Sequence, residues 1–241
     1  MYLCGFSQKK RKMGVSLSTC EFCQEKSCAV AVLSHPELEW LSGKVERMRY
    51  EKGENLFRES ALNSHIFYLK TGLVKLHMKV SDQRDFILSI AKPPCFLGLP
   101  TIFGDRVNQY SATALTACSL CIIDVSTFKH LIFHNGAFAY EIIADISRDD
   151  LNTFRRYVQL THKQTPGRLA GVLLFFSEEV FKSLQFELPL DRNELSELLG
   201  LSREIVTRVL MQFRADGLIS LDKKQISILD PEMLREVYRA G

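Results

Sequence analysis

A chain of 241 residues that is 46% hydrophobic and 24% charged has the composition of a globular protein with one large or two modest domains, which excludes a largely disordered chain. The net charge of +3 is too small to indicate nucleic acid binding by itself, and residues 165–241 hold ten Lys and Arg against twelve Asp and Glu. No apolar stretch reaches the roughly 18 residues of a membrane-spanning helix, so we expect a cytoplasmic protein without a membrane partner.

The first segment, residues 1–33, has little periodicity and is interpreted as an irregular arm. Three of the seven cysteines, Cys20, Cys23 and Cys28, lie close together in it. Clustered thiols in a reducing compartment more often bind metal or respond to redox state than form structural disulfides. The C-x2-C-x4-C spacing lets a flexible loop bring three thiolates to one iron–sulfur cluster or zinc ion, with a fourth ligand from elsewhere. Thiol–disulfide switching and the absence of any ligand remain open alternatives.

Residues 34–133 predict a β-barrel. Short runs rich in β-branched and aromatic residues, such as residues 66–69, 73–78 and 86–90, are separated by turn signals. Many short strands at this spacing favour a closed barrel or jelly roll.

The pattern changes to a long helix over residues 134–164. Apolar residues recur there mostly every four positions, with charged residues between them. An amphipathic helix that follows a compact barrel needs a partner for its apolar stripe, and the simplest partner is a second copy in a parallel dimer. A helix folded back on the barrel is the alternative. The predicted dimer interface comprises Phe138, Ile142, Ile146, Phe154 and Val158.

Residues 165–241 predict a winged helix-turn-helix. Asp191 can cap a first helix, Gly200 can adopt the left-handed conformation of a tight turn, and Ser202 can cap a second helix. Two apolar runs around residues 222–224 then predict a β-hairpin.

The second helix of this motif carries the candidate DNA-binding residues. Ser202 begins it, and Arg203, Glu204, Thr207 and Arg208 share one face of its first two turns. These turns enter the major groove in helix-turn-helix proteins, where Arg can pair with guanine and Glu with cytosine. The alternative is that these residues form an ordinary solvent-exposed helix face that binds nothing.

The segment from Leu195 to Leu210 resembles the helix-turn-helix signature of the CRP/FNR family, and the barrel, long helix and hairpin follow in family order. The resemblance implies an α+β fold with a cyclic-nucleotide-binding-like β-barrel (jelly roll), a long dimerisation helix and a winged helix-turn-helix. It also implies a homodimer that binds palindromic promoter DNA with TGA/TCA half-site cores, and that contacts RNA polymerase. The loop at residues 81–84 is a candidate polymerase contact, although a solvated hairpin tip is the default interpretation.

The resemblance also bears on the signal. Phe96 replaces the ribose acceptor of the cAMP-binding branch and Tyr110 replaces its phosphate cation, so we expect no cAMP binding. The FNR branch holds an oxygen-sensing 4Fe-4S cluster with three arm cysteines and one in a late barrel strand. Carried over, the ligands are Cys20, Cys23, Cys28 and Cys121, although the last arm spacing is four residues instead of the family's five. The alternative is a regulator of the same fold that responds to a small ligand, to zinc or thiol chemistry, or to haem bound through His77 or His134.

An enzyme is the rival class of function. The sequence holds no Gly-rich phosphate loop, no nucleophile elbow and no close carboxylate pair on a matching scaffold. We therefore expect no catalytic activity.

Overall fold

The computed structural model describes residues 20, 23, 25–81, 84–104 and 106–241. Most of the predicted arm, and the tip of the loop at residues 81–84, lie outside these described residues. The described part has the α+β fold predicted from the sequence, with a barrel, a long helix and a winged helix-turn-helix in that order.

Eleven strands are present in the described part of the chain. They are β1 (Val45–Tyr50), β2 (Asn55–Phe57), β3 (His65–Thr71), β4 (Val74–Ser81), β5 (Arg84–Ala91), β6 (Cys95–Leu97), β7 (Ser111–Ala114), β8 (Cys118–Asp124), β9 (Gln185–Glu187), β10 (Ile219–Asp222) and β11 (Gln225–Ile228). The barrel consists of two antiparallel sheets, β1-β8-β3-β6 and β2-β7-β4-β5, and the wing is the sheet β10-β11-β9.

The helices follow the same chain order. They are α1 (Cys28–Ala31), α2 (His35–Ser42), α3 (Leu99–Phe103), α4 (Val125–His134), α5 (Gly136–His162), α6 (Thr165–Leu174), α7 (Arg192–Leu199), α8 (Arg203–Ala215) and α9 (Pro231–Ala240). A π-helical segment, Phe175–Phe181, continues α6. No helix in the described ranges combines the length and apolar character that crossing a membrane requires.

Strand β3 is buried on both of its faces, which explains its unbroken apolar run. Phe67 and Leu69 point into the barrel, between the two sheets. Ile66 and Tyr68 point the other way, into a second core that α1, α2, α4 and α5 cover. Because successive side chains of a strand alternate between faces, a strand in this position needs apolar residues at every position.

The winged helix-turn-helix packs directly on the barrel. One apolar cluster joins Leu73, Ile87 and Leu115 of the barrel to the buried residues of α6, α7 and α8. The barrel and the winged helix-turn-helix therefore share a core in this conformation.

Gly72 forms the tightest turn of the barrel. Its φ is +89°, and a Cβ added there would lie 2.4 Å from the carbonyl oxygen of Ala117 and 2.6 Å from Sγ of Cys118. Gly53 has a similar φ of +85° with no atom within 4 Å of such a Cβ. Comparing substitutions at Gly72 and Gly53 therefore distinguishes the effect of steric overlap from that of backbone strain.

We predict that Gly72→Ala lowers the free energy of unfolding by about 3 kcal/mol, because strain and overlap add. Gly53→Ala, which adds strain alone, should cost about 1 kcal/mol. Urea unfolding of both variants measures the difference. Equal losses would show that the close approach to Cys118 costs nothing.

Candidate DNA interface and cysteine patch

Local hydrogen bonds build the helix-turn-helix. Asp191 caps α7 by accepting from the backbone N–H of Glu194, whose side chain accepts in return from the Asp191 N–H. Gly200 ends α7 in the left-handed conformation, with φ +65°. Ser202 caps α8 by accepting from the N–H of Ile205. The capping residues expected from the sequence all occupy these positions, and together they set the angle between the two helices.

The face of α8 proposed to contact DNA is open to solvent. Arg203, Glu204, Thr207 and Arg208 are exposed, while the opposite face packs into the domain core through Val206 and Leu210. Hydrogen bonds from its own backbone N–H and from the Ser202 hydroxyl lower the pKa of Glu204, which keeps this carboxylate ionised as an acceptor. The four side chains can thus reach a ligand without unfolding any part of the domain.

A groove of about 240 Å³ beside α8 brings the predicted Arg203 together with three basic side chains that the sequence analysis missed. It is lined by Arg192 and Arg203 together with Lys223 and Lys224 of the wing turn. The wing turn was visible in the sequence, but its proximity to α7 depends on the pairing of β11 with β9, which sequence patterns did not indicate.

The cysteine patch forms where the arm meets the outer face of β8. Cys121 is buried in the core beneath the helices, and Cys20 packs against that core. Burial, together with the neighbouring thiols of Cys20 and Cys23, raises the pKa of Cys121 to about 11 against the opposing effect of Lys70 and Arg47. Cys20 therefore packs against the same core as Cys121, and Cys23 is close enough to influence the Cys121 thiol.

Cys28 is placed differently from the other three. It begins α1 and is exposed. Among the described residues, no three His, Cys, Asp or Glu side chains are arranged to hold a metal ion. Bringing Cys28 to the other thiols would require movement of the short helix α1.

Tyr68 anchors the arm between Cys23 and Cys28. Its hydroxyl donates to the carbonyl of Glu25 at 2.7 Å and accepts from the N–H of Ser27 at 2.6 Å. Tyr68 also lies directly opposite Cys121 in the β3–β8 pairing. Burial raises the pKa of its phenol to about 12, so the hydroxyl keeps its proton and can serve as a donor.

Phe96 and Tyr110, the two residues that replace the nucleotide contacts in the resemblance, pack against different cores, Phe96 beneath the helices and Tyr110 against the barrel interior. Phe96 packs against Tyr68 with ring centroids 4.7 Å apart, and Tyr110 packs against Phe57 at 5.6 Å. Burial raises the pKa of Tyr110 to about 12, so this side chain is neutral. Neither residue offers a charge to a cyclic phosphate.

The two histidines considered for haem are engaged elsewhere. His77 Nδ1 lies 2.8 Å from Asp85, and its Nε2 lies 2.8 Å from the hydroxyl of Thr113. His134 Nδ1 bonds the His130 carbonyl at 2.8 Å. Haem ligation through His77 would therefore break one of two side-chain contacts.

The structure corrects the predicted dimer stripe. Phe138 and Ile142 are each 1% exposed and pack inside their own barrel domain, with Ile146 against the same core. They cannot also contact a second copy, and the alternative of a helix folded back on the barrel holds for this half of α5. Phe154 and Val158 are exposed as expected. The exposed apolar stripe of α5 consists of Tyr140, Ile143, Leu151, Phe154, Tyr157 and Val158.

Comparison with known proteins agrees with these features. Residues 47–135 match the cyclic nucleotide-binding domain and residues 167–237 match the Crp-like helix-turn-helix domain. The chain is 27% identical over 208 residues to the transcriptional activator protein FnrA of Stutzerimonas stutzeri, covering 84% of this chain and 85% of that protein. It is 25% identical to the CRP-like cAMP-activated global transcriptional regulator of Mycobacterium tuberculosis H37Rv, covering 80% and 88%.

A solved structure supports the fold independently. FixK2 from Bradyrhizobium japonicum superposes with a TM-score of 0.73 at 21% identity, covering 80% of this chain and 96% of that one. Two matched domains in family order, joined by a long helix, characterise transcription regulators and not enzymes. The chain belongs to the CRP/FNR family of DNA-binding transcription regulators.

Proposed function

We propose that this regulator senses oxygen or cellular redox state through a cysteine-ligated 4Fe-4S cluster. The observation that carries the proposal is the approach of Cys20 and Cys23 to the buried thiol of Cys121. Soft thiolates suit iron–sulfur clusters. Burial raises the pKa of Cys121 overall, Lys70 and Arg47 oppose that rise, and ligation would displace the proton of this thiol. Ligation would require the arm to rearrange, because no three of the described thiols are arranged to hold a metal as they lie, and Cys28 would join the set through movement of α1. A bound cluster would supply a centre that oxygen or nitric oxide destroys.

The arm is connected to the long helix by direct packing. Ala29 and Val30 of α1 are buried in the same core as Phe138 and Ile142 of α5. A change in the position of the arm would therefore alter the support of α5. Such coupling needs a ligand that prefers one arrangement over the other, which a cluster held by both arm and barrel provides.

The partners follow from the exposed surfaces. Two copies pair along the exposed stripe of α5, which places two α8 helices on the half-sites of a palindromic promoter. Arg203, Glu204, Thr207 and Arg208 contact bases or phosphates, and Ser202 orients their helix. RNA polymerase is the further partner that the family resemblance implies.

Metal content tests the sensor proposal. Protein purified without oxygen should be brown and contain iron and acid-labile sulfide, and air should bleach it. Cys23→Ala and Cys121→Ala should abolish both iron and colour, because each removes one ligand. Cys95→Ala is the matched control, since Cys95 on β6 packs against the barrel core and not against the core that Cys20 and Cys121 share, and the variant should retain the cluster.

A colourless, iron-free wild type that still binds a palindrome would refute the cluster and leave the DNA-binding function intact. Zinc in that protein, or a disulfide formed in air, would identify the alternative chemistry.

Removal of one hydroxyl tests the docking of the arm. Tyr68→Phe removes two hydrogen bonds that hold residues 25–27, worth about 1–2 kcal/mol together. The alkylation rate of Cys20 and Cys23 in iron-free protein should rise roughly 5- to 30-fold, as measured by mass spectrometry. Tyr140→Phe, which removes an exposed hydroxyl of α5, should leave the rate unchanged. Equal rates in both variants would show that Tyr68 does not anchor the arm.

Charge removal on α8 tests the DNA contact. Glu204→Ala or Arg208→Ala should each cost about 1–3 kcal/mol of binding to a TGA/TCA palindrome, which raises Kd by roughly 5- to 150-fold. Arg214→Ala removes the same charge at the far end of α8 and should change Kd by less than about threefold. Fluorescence anisotropy at constant salt measures all three. A comparable loss with Arg214→Ala would indicate nonspecific attraction alone.

A further inference from the structure

Arg156 of α5 is the one side chain whose hydrogen bonds, among those of the described residues, join the long helix to both the barrel and the helix-turn-helix. Its Nη2 donates to the carbonyl of Ile87 on β5 at 2.7 Å and to the carbonyl of Leu198 on α7 at 2.6 Å. These partners lie 69 and 42 residues away in sequence.

Both carbonyls lack partners within their own elements. Strand β5 is at the edge of its sheet, so the carbonyls on its outer side face no neighbouring strand. Leu198 is in the last turn of α7, where carbonyls have no intrahelical donor and the helix dipole favours a cation. A guanidinium can satisfy two such acceptors at once, because its donors form a rigid fork.

No carboxylate of the described residues pairs with Arg156. Burial lowers its pKa to about 10, and no acidic neighbour offsets the desolvation. A partly buried cation that contacts only neutral carbonyls is a poor choice for stability alone, because an apolar side chain would avoid the desolvation penalty. This argues for a role in orientation.

The contact extends to the turn that orients α8. The guanidinium carbon lies 6.0 Å from the centroid of the Phe86 ring. The Phe86 ring also approaches Gly200, where a Cβ would lie 3.7 Å from Cε2. Arg156, Phe86 and Gly200 thus connect the long helix to the turn from which α8 begins.

We propose that Arg156 is a positioning residue for DNA binding, which fixes the direction of α8 relative to the dimerising helix. Two lysines of the barrel also hold the winged helix-turn-helix against it, one through an ion pair and one through a hydrogen bond. Lys75 pairs with Glu194 at 2.8 Å, and Lys52 donates to the carbonyl of Pro189 at 3.0 Å. Neither bonds to α5.

Gln159 of α5 does reach the same domain, by donating to the Tyr238 hydroxyl of α9 at 2.7 Å. Among the side chains of the described residues, only Arg156 hydrogen-bonds both the barrel and α7, the first helix of the helix-turn-helix.

The test measures half-site spacing, because orientation in a dimer determines which spacing both α8 helices can reach. Binding is measured to palindromes whose half-sites are one or two base pairs closer or farther apart than the optimum. Arg156→Met keeps the aliphatic stem and removes every donor. We expect the preference for the optimal spacing to fall roughly tenfold, through weaker binding at the optimum and unchanged binding elsewhere. Arg156→Lys, which keeps one donor, should restore part of the preference.

Arg155→Met is the matched control, because Arg155 is the exposed neighbour on the same helix and carries the same charge. Phe86→Leu, which removes the ring against Gly200, should reproduce the loss of preference without changing charge. Iron content and melting temperature are measured on each preparation, so failure of the cluster is recognised separately.

Three outcomes would overturn the proposal: a parallel loss at all spacings, an unchanged preference, or the same effect from Arg155→Met. The first would indicate a structural role alone, and the last a general effect of charge.

Discussion

Helix α5 has three faces with different roles, and the rest of the molecule depends on how they are oriented: one packs on the barrel core, one leaves an apolar stripe exposed, and one contacts both the barrel and α7. Its first half is held by the barrel core through Phe138 and Ile142. Its second half leaves an apolar stripe exposed on one side and inserts Arg156 between the barrel and α7 on another. A helix of 27 residues is stiff enough to relate these contacts geometrically, so a shift at one of them is felt at the others.

The sensor and the DNA-binding domain are joined by a core as well as by α5. Leu73, Ile87 and Leu115 pack with the interior of the winged helix. The connection is apolar at its centre and polar at its margins, with the Lys75–Glu194 pair largely shielded from solvent. Apolar contacts stabilise the interface but do not depend on orientation, whereas hydrogen bonds to fixed carbonyls require a particular orientation of donor and acceptor. The combination fixes how the helix-turn-helix lies on the barrel in this conformation.

Features that depend on neighbours in sequence were predictable. The caps at Asp191 and Ser202 and the left-handed turn at Gly200 use contacts within three residues, so their residue types identify them. The strands were recognisable because β-branched runs and turns alternate over short distances. Long-range contacts were not: Tyr68 reaches Ser27 across 41 positions, and no local pattern marks it.

The dimer stripe shows where periodicity misled. Helix α5 has two apolar stripes, one through Phe138 and Ile142 and one through Tyr140 and Ile143, and each has helical spacing. Which stripe faces the barrel depends on how the chain leaves α4, and hydrophobic spacing carries no information about that angle. The resemblance to the family favoured Cys121 over Cys118 as a ligand, a choice that spacing alone could not make, and Cys121 lies in the core against which Cys20 packs.

Strand β8 separates the barrel interior from the core beneath the helices. Cys118 and Cys121 are three positions apart on it, so their side chains lie on opposite faces. Cys121 faces the core to which the arm is attached, whereas Cys118 lies within the barrel at 3% exposure, donates to the Leu73 carbonyl and faces the backbone of Gly72. Strand β8 therefore separates the Cys118 thiol from an oxidant that reaches the arm. Cys118 can therefore serve as an internal control, against which the reactivity of the other cysteines is compared.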